Sequence, residues 1–272
     1  MRSETVKVVE EAVAILEQLA QHPGGVSITD LSEYTGLGKS TVHRLLMALQ
    51  NHGLVQQELD THRYSLGYRI VELSASLLTH SGLVTISMPL MKRIVGVIGE
   101  TVSLHVVRGD RRLCVAEVES PLELKFSYGV GRSTPLHLGA SGKIVLAYLS
   151  PSQREETIDR LTQDPRVAEG EPGSAELRES LEEIRRHGYA ESFGEVVQGV
   201  RSIGVPLFDR SGQVIGSLGI VGPAFRFNDD RRAEAVALLK QAAAHISAEL
   251  GFGDCQDDAL IGDVTPSSTL PS

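Results

Sequence analysis

The apolar positions between residues 27 and 53 recur with helical spacing, in two segments that glycines separate. Ser27 precedes Asp30 by three residues, which is the pattern of a helix N-cap. Gly36 and Gly38 then predict a turn. The second segment has apolar residues at i, i+3, i+4 and i+7, one face of a helix: Val42, Leu45, Leu46 and Leu49. Gly53 is suited to end that helix.

Two alternating apolar segments follow, residues 54–59 and 63–66, and they flank the polar triplet Asp60-Thr61-His62. This arrangement predicts a β-hairpin. Two helices around a tight turn, followed by a hairpin, form a winged helix-turn-helix, which usually places its second helix in the major groove of DNA. The alternatives are a packing or dimerisation unit and a module that binds another protein. The outward face of the second helix carries hydroxyl and basic side chains: Lys39, Ser40, Thr41, His43 and Arg44.

Helices are predicted on both sides of this motif. Residues 6–20 place an apolar face against the helical pair, and residues 67–78 form another amphipathic helix. The apolar faces consist of Val9, Ala12, Val13, Leu16 and Leu19 in the first helix, and of Ile70, Leu73 and Leu77 in the other. We therefore expect a DNA-binding domain over residues 1–66 and a linker helix over residues 67–82 that transmits motion to a second domain.

Beyond residue 82 the pattern alternates between strands and helices. The predicted strands span 101–107, 113–118, 124–128, 202–208 and 214–221. The predicted helices span 83–98, 141–149, 151–161, 175–187 and 229–250, the last with a core face of Ala233, Val236, Leu239, Ala243 and Ile246. Antiparallel hairpins with helices before and after them indicate an α+β domain over residues 83–251. Pro206 indicates a sheet edge or a bulge, and residues 252–272 lack periodicity, which predicts a disordered tail.

Composition limits the class of protein. The 272 residues are enough for two domains, and no apolar run approaches the roughly 20 residues of a membrane span. The N-terminus lacks a signal-peptide profile, so we expect a cytoplasmic protein with no membrane partner. Cys114 and Cys255 show no metal-type spacing and are expected to be reduced thiols.

The charge balance argues against nucleic-acid binding at first sight. The net charge is −9, and residues 1–80 hold six basic and nine acidic side chains. Phosphates respond, however, to the field within about 10 Å. Between Gly38 and Arg69 the balance is reversed, with four cations against two acids and three histidines as further donors. We therefore expect modest phosphate affinity that dimerisation supplements.

The second domain contains no recognisable catalytic motif. Gly142-Lys143 does not fit a phosphate-binding P-loop, and Gly129-Val130-Gly131 lacks the third glycine of a dinucleotide site. Ser141 lacks the flanking pattern of a nucleophile elbow. No metal-ligand pair arises from the four histidines of this domain, which are His105, His137, His187 and His245. We predict no enzyme activity, no metal and no cofactor; the alternative is an enzyme domain that uses Ser141 and Glu195.

A ligand site is easier to argue from the residues. Residues 139–141 lead into a helix start, where free amides and the helix dipole favour an anion. Gly129 and Gly131 allow a second backbone segment to approach closely. Three polar residues lie in a loop and a strand that are suited to close the pocket: Ser192, Glu195 and Ser202. The alternative is that these glycines only make turns.

From about Val9 to Gly251 the chain resembles the transcriptional regulators of the isocitrate lyase regulator (IclR) family. The segments that carry the resemblance are TGLGKSTVHRLL, RYSLGYRI, PLHLGASGKIVLA, GVRSIGVPLFD and IVGPAFR. The resemblance implies an N-terminal winged helix and a C-terminal effector domain of GAF-like fold with an antiparallel sheet. It also implies a homodimer or dimer of dimers on operator DNA, whose affinity changes when a small organic acid or aromatic metabolite binds. We expect a repressor.

The resemblance further implies two sets of contact residues. DNA contacts are implied for Lys39, Ser40, Thr41, His43 and Arg44 on the recognition helix, and for His62 and Arg63 on the wing. An effector pocket is implied at Gly129, Leu136, Gly139, Ala140, Ser141, Ser192, Glu195, Ser202, Gly219 and Val221. This chain has Gly38 where the family's recognition helix usually begins with serine. Gly219 and Val221 offer no hydroxyl or thiol, so we expect an effector with an apolar or aromatic body and its carboxylate at residues 139–141.

Overall fold

The computed structural model describes residues 4–79, 81–162 and 173–253. The chain divides into two compact units, residues 1–80 and residues 81–272. Most of the segment predicted to be a disordered tail, from residue 254 onward, lies outside the described residues.

The first unit is a helix-turn-helix followed by a hairpin, which confirms the prediction. The Ser27 hydroxyl accepts a hydrogen bond from the Asp30 amide at 3.2 Å and caps the first helix of the motif. Gly36, which ends that helix, and Gly53, which follows the second, both have a φ of 70°. The elements are α1 (Glu4–Gln21), α2 (Ile28–Thr35), α3 (Lys39–Asn51), β1 (Val55–Gln57), β2 (Tyr64–Leu66) and α4 (Arg69–Thr79).

The core of the first unit lies between its helices and the hairpin. It consists of Ile15, Leu19, Val26, Leu31, Val42, Leu45, Leu46, Leu49, Val55 and Tyr64. The prediction that Val9 and Val13 face this core is wrong, since both side chains are exposed. The reason is that the core meets α1 along the side that carries Ile15. Leu73 and Leu77 of α4 are exposed as well.

The second unit is an α+β domain around one antiparallel sheet, as predicted. Its strands are β3 (Thr101–Arg108), β4 (Arg111–Val118), β5 (Ser133–Pro135), β6 (Ala190–Phe193), β7 (Val200–Phe208) and β8 (Val214–Pro223). They lie in the order β5-β4-β3-β8-β7-β6, and every neighbouring pair is antiparallel. Its helices are α5 (Gly82–Ile98), α6 (Ala140–Tyr148), α7 (Pro151–Thr162), α8 (Ser174–His187) and α9 (Asp229–Glu249).

Three details of this unit differ from the prediction. The short edge strands β5 and β6 were not predicted, because three or four residues carry too little alternation to identify a strand. The predicted strand at 124–128 is wrong: this segment is irregular, and the Tyr128 amide donates to the Glu117 carboxylate at 2.8 Å instead of joining a sheet. Ala233 is exposed, because the core meets α9 along the side that carries Ala235.

The two faces of the sheet differ in polarity. One face is apolar and packs against α5 and α9; it consists of Val102, Leu104, Ile203, Val205, Leu207, Leu218 and Ile220. The opposite face, which we call the polar face, lies against α6 and carries small and polar residues: Ser103, His105, Arg112, Cys114, Ser202, Ser217, Gly219 and Val221. Pro206 lies in β7 beyond its last pair with β6 and just before a register shift against β8, as predicted.

Two features of other protein classes are not found in the described part of the chain. No single helix there is both long and apolar enough to span a membrane. The consecutive helices at 69–77 and 82–98 reach that length and composition only when they are counted together, and the second of them contributes to the core of the sheet domain. No group of three His, Cys, Asp or Glu side chains in the same residues is arranged to hold a metal ion.

Candidate functional sites

The outward face of α3 presents the basic and hydroxyl side chains that the sequence singled out. Lys39, Ser40, His43 and Arg44 are exposed, and Thr41 is half-buried. Within the described residues, none of the four exposed side chains has a hydrogen-bond or ion-pair partner. The opposite face of α3 is held in the core by its four buried aliphatic residues, so the orientation of the helix is fixed. The exposed side chains are therefore free to contact a ligand.

The start of α3 is also suited to an anion. Gly38 is the N-cap residue and supplies no side-chain hydrogen bond, and the first turn contains no acidic residue. The Thr41 amide donates to the Gly38 carbonyl at 2.9 Å, whereas the Lys39 and Ser40 amides and the positive end of the dipole of this 13-residue helix are left for an external acceptor. Lys39 adds a positive charge at the same place. A DNA phosphate satisfies both requirements.

The two wing residues play different parts. His62 is exposed in the hairpin turn, where its backbone has a φ of 55°. Arg63 is engaged within the unit, because its Nε donates to the Gly25 carbonyl at 2.9 Å and its Nη2 lies 3.7 Å from the Asp30 carboxylate. The structure therefore leaves His62 available for DNA and uses the Arg63 guanidinium to tie the wing to the start of α2.

In the second unit, four of the predicted effector residues come together where α6 packs on the polar face. The Ala140 amide donates to the Ser202 hydroxyl at 3.4 Å. The Ser217 hydroxyl donates to the Ser141 carbonyl at 2.8 Å. A β-carbon on Gly219 would lie 2.5 Å from the Ser141 hydroxyl oxygen, so glycine allows α6 to approach the sheet. The helix start and strands β7 and β8 therefore form one site.

The other predicted pocket residues are more scattered. Val221 is buried in a small cluster with Cys114 and Tyr128. Ser192 is buried on β6 and pairs with Ser202 of β7. Leu136 belongs to the separate apolar cluster around α6 and α8. Gly129 donates its amide to the Glu117 carboxylate at 3.3 Å.

The start of α6 already holds a carboxylate that belongs to the chain. The Gly139 amide donates to Glu195 at 3.0 Å, and the Lys143 ammonium group donates to the same carboxylate at 2.5 Å. The anion preference expected for residues 139–141 is therefore present, but an internal side chain meets it at Gly139. This leaves less reason to place the carboxylate of an effector at the same amide.

A cluster of buried polar side chains that the sequence analysis did not identify lies on the polar face, beside α6. Arg112 is 1% exposed, and its Nη1 donates to the Leu138 carbonyl at 2.8 Å. Its Nε and Nη2, both ring nitrogens of His105 and the hydroxyl of Ser103 have no hydrogen-bond partner among the described residues. Tyr128 contacts both groups: its ring centroid lies 5.4 Å from the Arg112 guanidinium and 5.4 Å from the imidazole centroid of His105.

Burial controls the charge of this cluster. Burial lowers the pKa of His105 well below its usual range, and the charge of Arg112 lowers it further, so the imidazole is neutral at pH 7. Burial also lowers the pKa of Arg112, but a guanidinium begins far above neutrality and stays charged. Burial raises the pKa of Cys114 to about 12, which keeps its thiol protonated. Arg112 is the cation of an otherwise neutral group.

The sequence pattern indicates the inward orientation of Ser103 and His105 but not that of Arg112. Ser103 and His105 alternate with apolar neighbours along β3, as expected of a strand with one polar face. Arg112 was harder to place because β4 has a bulge: Leu104 pairs with Ala116 but His105 pairs with Cys114, so Val115 is an extra residue. The bulge shifts the inward positions by one between the two halves of the strand.

The fold defines a protein with a winged helix-turn-helix DNA-binding domain and a separate α+β domain, and comparison with known proteins agrees. The IclR helix-turn-helix domain matches residues 8–59, and the domain described as bacterial transcriptional regulator IclR C-terminal matches residues 75–248. The chain therefore belongs to the IclR family of bacterial transcriptional regulators. Since the family members are regulators, the chain is a regulator of transcription and not an enzyme.

Relatives and solved structures cover almost the whole chain. The HTH-type transcriptional regulator KdgR of Dickeya chrysanthemi is 32% identical over 251 residues, which are 92% of this chain and 82% of that protein. The transcriptional repressor IclR of Escherichia coli is 27% identical over 90% of each chain. The crystal structure of an IclR-type regulator from Alicyclobacillus acidocaldarius has a TM-score of 0.80 at 26% identity, over 90% of this chain and 99% of that one. An IclR homologue from Microbacterium hydrocarbonoxydans, complexed with 4-hydroxybenzoate, has a TM-score of 0.76 at 25% identity, over 89% and 98%.

Proposed function

We propose that this regulator is a cytoplasmic repressor whose affinity for operator DNA is set by a small organic acid or aromatic metabolite. The effector binds on the polar face of the sheet, beside α6. The observation that carries this is the group of buried polar atoms there that lack partners within the described residues, because such atoms are costly unless a ligand or water satisfies them. Two relatives support it: one is named a repressor, and another was solved with 4-hydroxybenzoate.

In this proposal the two units have separate tasks. Residues 1–66 read DNA, with α3 in the major groove and the wing beside the backbone. Residues 83–251 bind the effector. Residues 67–82 join the two and carry the coupling between them. Because binding free energies are linked, effector and operator must change each other's affinity by the same factor.

The first test is fluorescence anisotropy with the full chain on its own upstream intergenic DNA, against a scrambled duplex of equal length. We expect a preference for the upstream DNA and an affinity that falls steeply with salt, since phosphate contacts release counterions. Carboxylic and aromatic acids are then added in turn, and one of them should release the complex. No preference at any salt would favour a winged helix that binds another protein instead.

Arg44 provides the sharper test of the DNA interface. The Arg44 side chain is exposed on α3 and suited to pair with a guanine edge, so Arg44→Ala should weaken operator binding about 10- to 100-fold, or about 1–3 kcal/mol. Effector binding, measured by isothermal titration calorimetry, should not change. Arg108→Ala, which removes an exposed arginine from the β3–β4 hairpin, is the matched control and should leave operator binding unchanged. Equal affinity of wild type and Arg44→Ala would contradict the proposed docking.

The working form in this proposal is a homodimer or a dimer of dimers. Operators for helix-turn-helix proteins are read by two recognition helices related by symmetry. A second copy also accounts for Val6, Val9 and Val13 of α1, which are exposed on the first unit at intervals of three and four residues. This is the spacing at which helices pair along an apolar seam.

A further inference from the structure

The Arg112 guanidinium is buried on the polar face and has no ion-pair partner among the described residues. Two carboxylates are available on this side of the domain, but both are already used. Glu195 holds the Gly139 amide and Lys143. Glu117 accepts from the Ser127 hydroxyl and the Tyr128 amide. Within the described residues Arg112 forms no ion pair. An isolated buried charge is costly, so the site favours an anion from outside the chain.

The free edge of Arg112 has a specific shape. Its Nη1 is occupied by the Leu138 carbonyl, whereas Nε and Nη2 have no partner among the described residues. These two nitrogens form the side-on edge of a guanidinium, whose parallel N–H groups match the two oxygens of a carboxylate. The guanidinium lies against the start of α6, where Nη2 is 3.4 Å from the place a β-carbon on Gly139 would occupy. An anion on this edge therefore lies within the proposed effector site, next to the start of α6.

Two neutral side chains beside Arg112, those of His105 and Ser103, place a second requirement on the ligand. His105 presents one N–H donor and one nitrogen acceptor, and Ser103 presents a hydroxyl, all without partners in the described part of the chain. Both lie on β3 and on the same face of the sheet. A purely aromatic acid would satisfy Arg112 and leave these groups unpaired, which a polar site penalises strongly. An effector with hydroxyl or keto oxygens satisfies all three residues.

We propose that Arg112 binds the carboxylate of the effector side-on, and that His105 and Ser103 select an acid bearing hydroxyl or keto groups over a purely aromatic one. This inference rests on the proposed function, because it assigns the chemistry of the same effector site. It moves the carboxylate from the Gly139 amide, where the sequence led us to expect it, to the β4 arginine. It also replaces the expected aromatic body with a polar one.

The test is isothermal titration calorimetry on the full chain with four sodium salts and one neutral compound. The salts are glycerate and gluconate, which combine a carboxylate with hydroxyls, benzoate, which has a carboxylate alone, and sulfate, which is an inorganic anion. Sorbitol carries the hydroxyls of gluconate without its carboxylate. We expect at least one hydroxy acid to bind more tightly than benzoate and sulfate, and sorbitol not to bind.

The matched pair of variants is Arg112→Gln and Arg111→Gln. Arg111 is the preceding residue on β4, exposed and hydrogen-bonded to Ser133, so it controls for loss of an arginine on the same strand. We expect Arg112→Gln to weaken binding of the hydroxy acid about 10- to 100-fold and Arg111→Gln to leave its affinity unchanged. The melting temperature of ligand-free Arg112→Gln should not fall, since an uncompensated buried charge is removed.

A second variant guards against misfolding of the first. His105→Phe keeps Arg112 and should reduce the preference for the hydroxy acid over benzoate. Failure of both hydroxy acids to bind the wild type, binding equal to that of sulfate, or equal affinity of wild type and Arg112→Gln would each overturn the inference. Operator binding without effector, measured with the wild type and with Arg111→Gln, separates the two proposals. Its absence in the wild type would count against the proposed function alone.

Discussion

Two glycines inside helices of the second unit show how one residue type can have opposite energetic consequences. A β-carbon on Gly142 of α6 would lie 2.6 Å from the Leu136 carbonyl oxygen and 2.8 Å from Nη1 of Arg112. A β-carbon on Gly96 of α5 would meet nothing within 4 Å. Alanine is favoured over glycine by about 1 kcal/mol in a helix interior, so intrinsic propensity predicts stabilisation at both positions. At Gly142 the close contacts of the added β-carbon outweigh this propensity, so alanine should destabilise the domain there.

We therefore expect Gly142→Ala to lower the free energy of unfolding by about 1–3 kcal/mol, the usual cost of overpacking. Gly96→Ala should raise the free energy of unfolding by about 0.5–1 kcal/mol. Urea denaturation followed by circular dichroism measures both changes. A stabilised Gly142→Ala variant would mean that α6 does not approach the Leu136 carbonyl as closely as the structure shows.

At the scale of elements, one ion pair joins three segments that are distant in sequence. The Glu100 side chain is buried just before β3 and accepts from Nη2 of Arg226 at 2.8 Å. The same nitrogen donates to the Leu124 carbonyl at 2.7 Å. Arg226 lies in the 3₁₀ turn that follows β8. It thus connects the start of β3, the irregular segment that leads to Tyr128 and the end of β8.

Arg226→Met should lower the free energy of unfolding by about 3 kcal/mol, because it leaves the Glu100 carboxylate buried and unpaired. We place the cost at the lower end for a buried pair, since the Arg226 side chain keeps 16% of its surface in solvent. Arg178→Met is the control: Arg178 also pairs with two carboxylates, Glu155 and Asp159, but on the surface, and should change stability little. Equal effects of the two substitutions would show that burial does not determine the strength of these pairs.

Elements with local signals could be predicted from the sequence. The Ser27 cap, the Gly36 turn and the aliphatic stripe of α3 each depend on a few neighbouring residues, and all three occur as expected. The edge strand β5 could not be found, because its three residues are defined by pairing with β4. The segment at 124–128 alternates like a strand, but the amides of Tyr128 and of Gly129, which follows it, donate to the distant Glu117 carboxylate. A local sequence pattern shows which secondary structure a segment favours, and tertiary contacts determine which structure it adopts.

The candidate sites also divide into features that depend on neighbouring residues and features that depend on distant contacts. The exposed face of α3 is a matter of helical periodicity, so its basic residues could be identified from spacing alone. Arg112 could not, because its inward orientation depends on the register of β4 with β3 and on the extra residue at Val115. Glu195 was recognised as part of the pocket, but its bond to the Gly139 amide requires a contact between residues 56 positions apart. Contacts between residues that are far apart in the chain cannot be identified from the sequence alone.

At the scale of the whole molecule, the exposed apolar residues of α1 lead to a prediction about association. Val9 is 60% exposed and Val13 is 46% exposed on the first unit, although sequence periodicity places both on the apolar face of α1. Isolated exposed apolar residues are common, but a row at helical spacing on a DNA-binding unit is typical of an interface. The periodicity is then explained by a second copy rather than by the core of the same chain.

We expect the double substitution Val9→Glu and Val13→Glu to shift the full chain toward monomer in sedimentation velocity at micromolar concentration. The fold should persist, because neither side chain contributes to the core of its own unit, and far-ultraviolet circular dichroism checks this. Val97→Glu, at an exposed position on α5, is the control and should leave the sedimentation coefficient unchanged. Operator affinity should fall with the loss of the dimer, since one recognition helix then contacts only one half-site. An unchanged sedimentation coefficient for the double variant would place the interface elsewhere and leave the exposure of these valines unexplained.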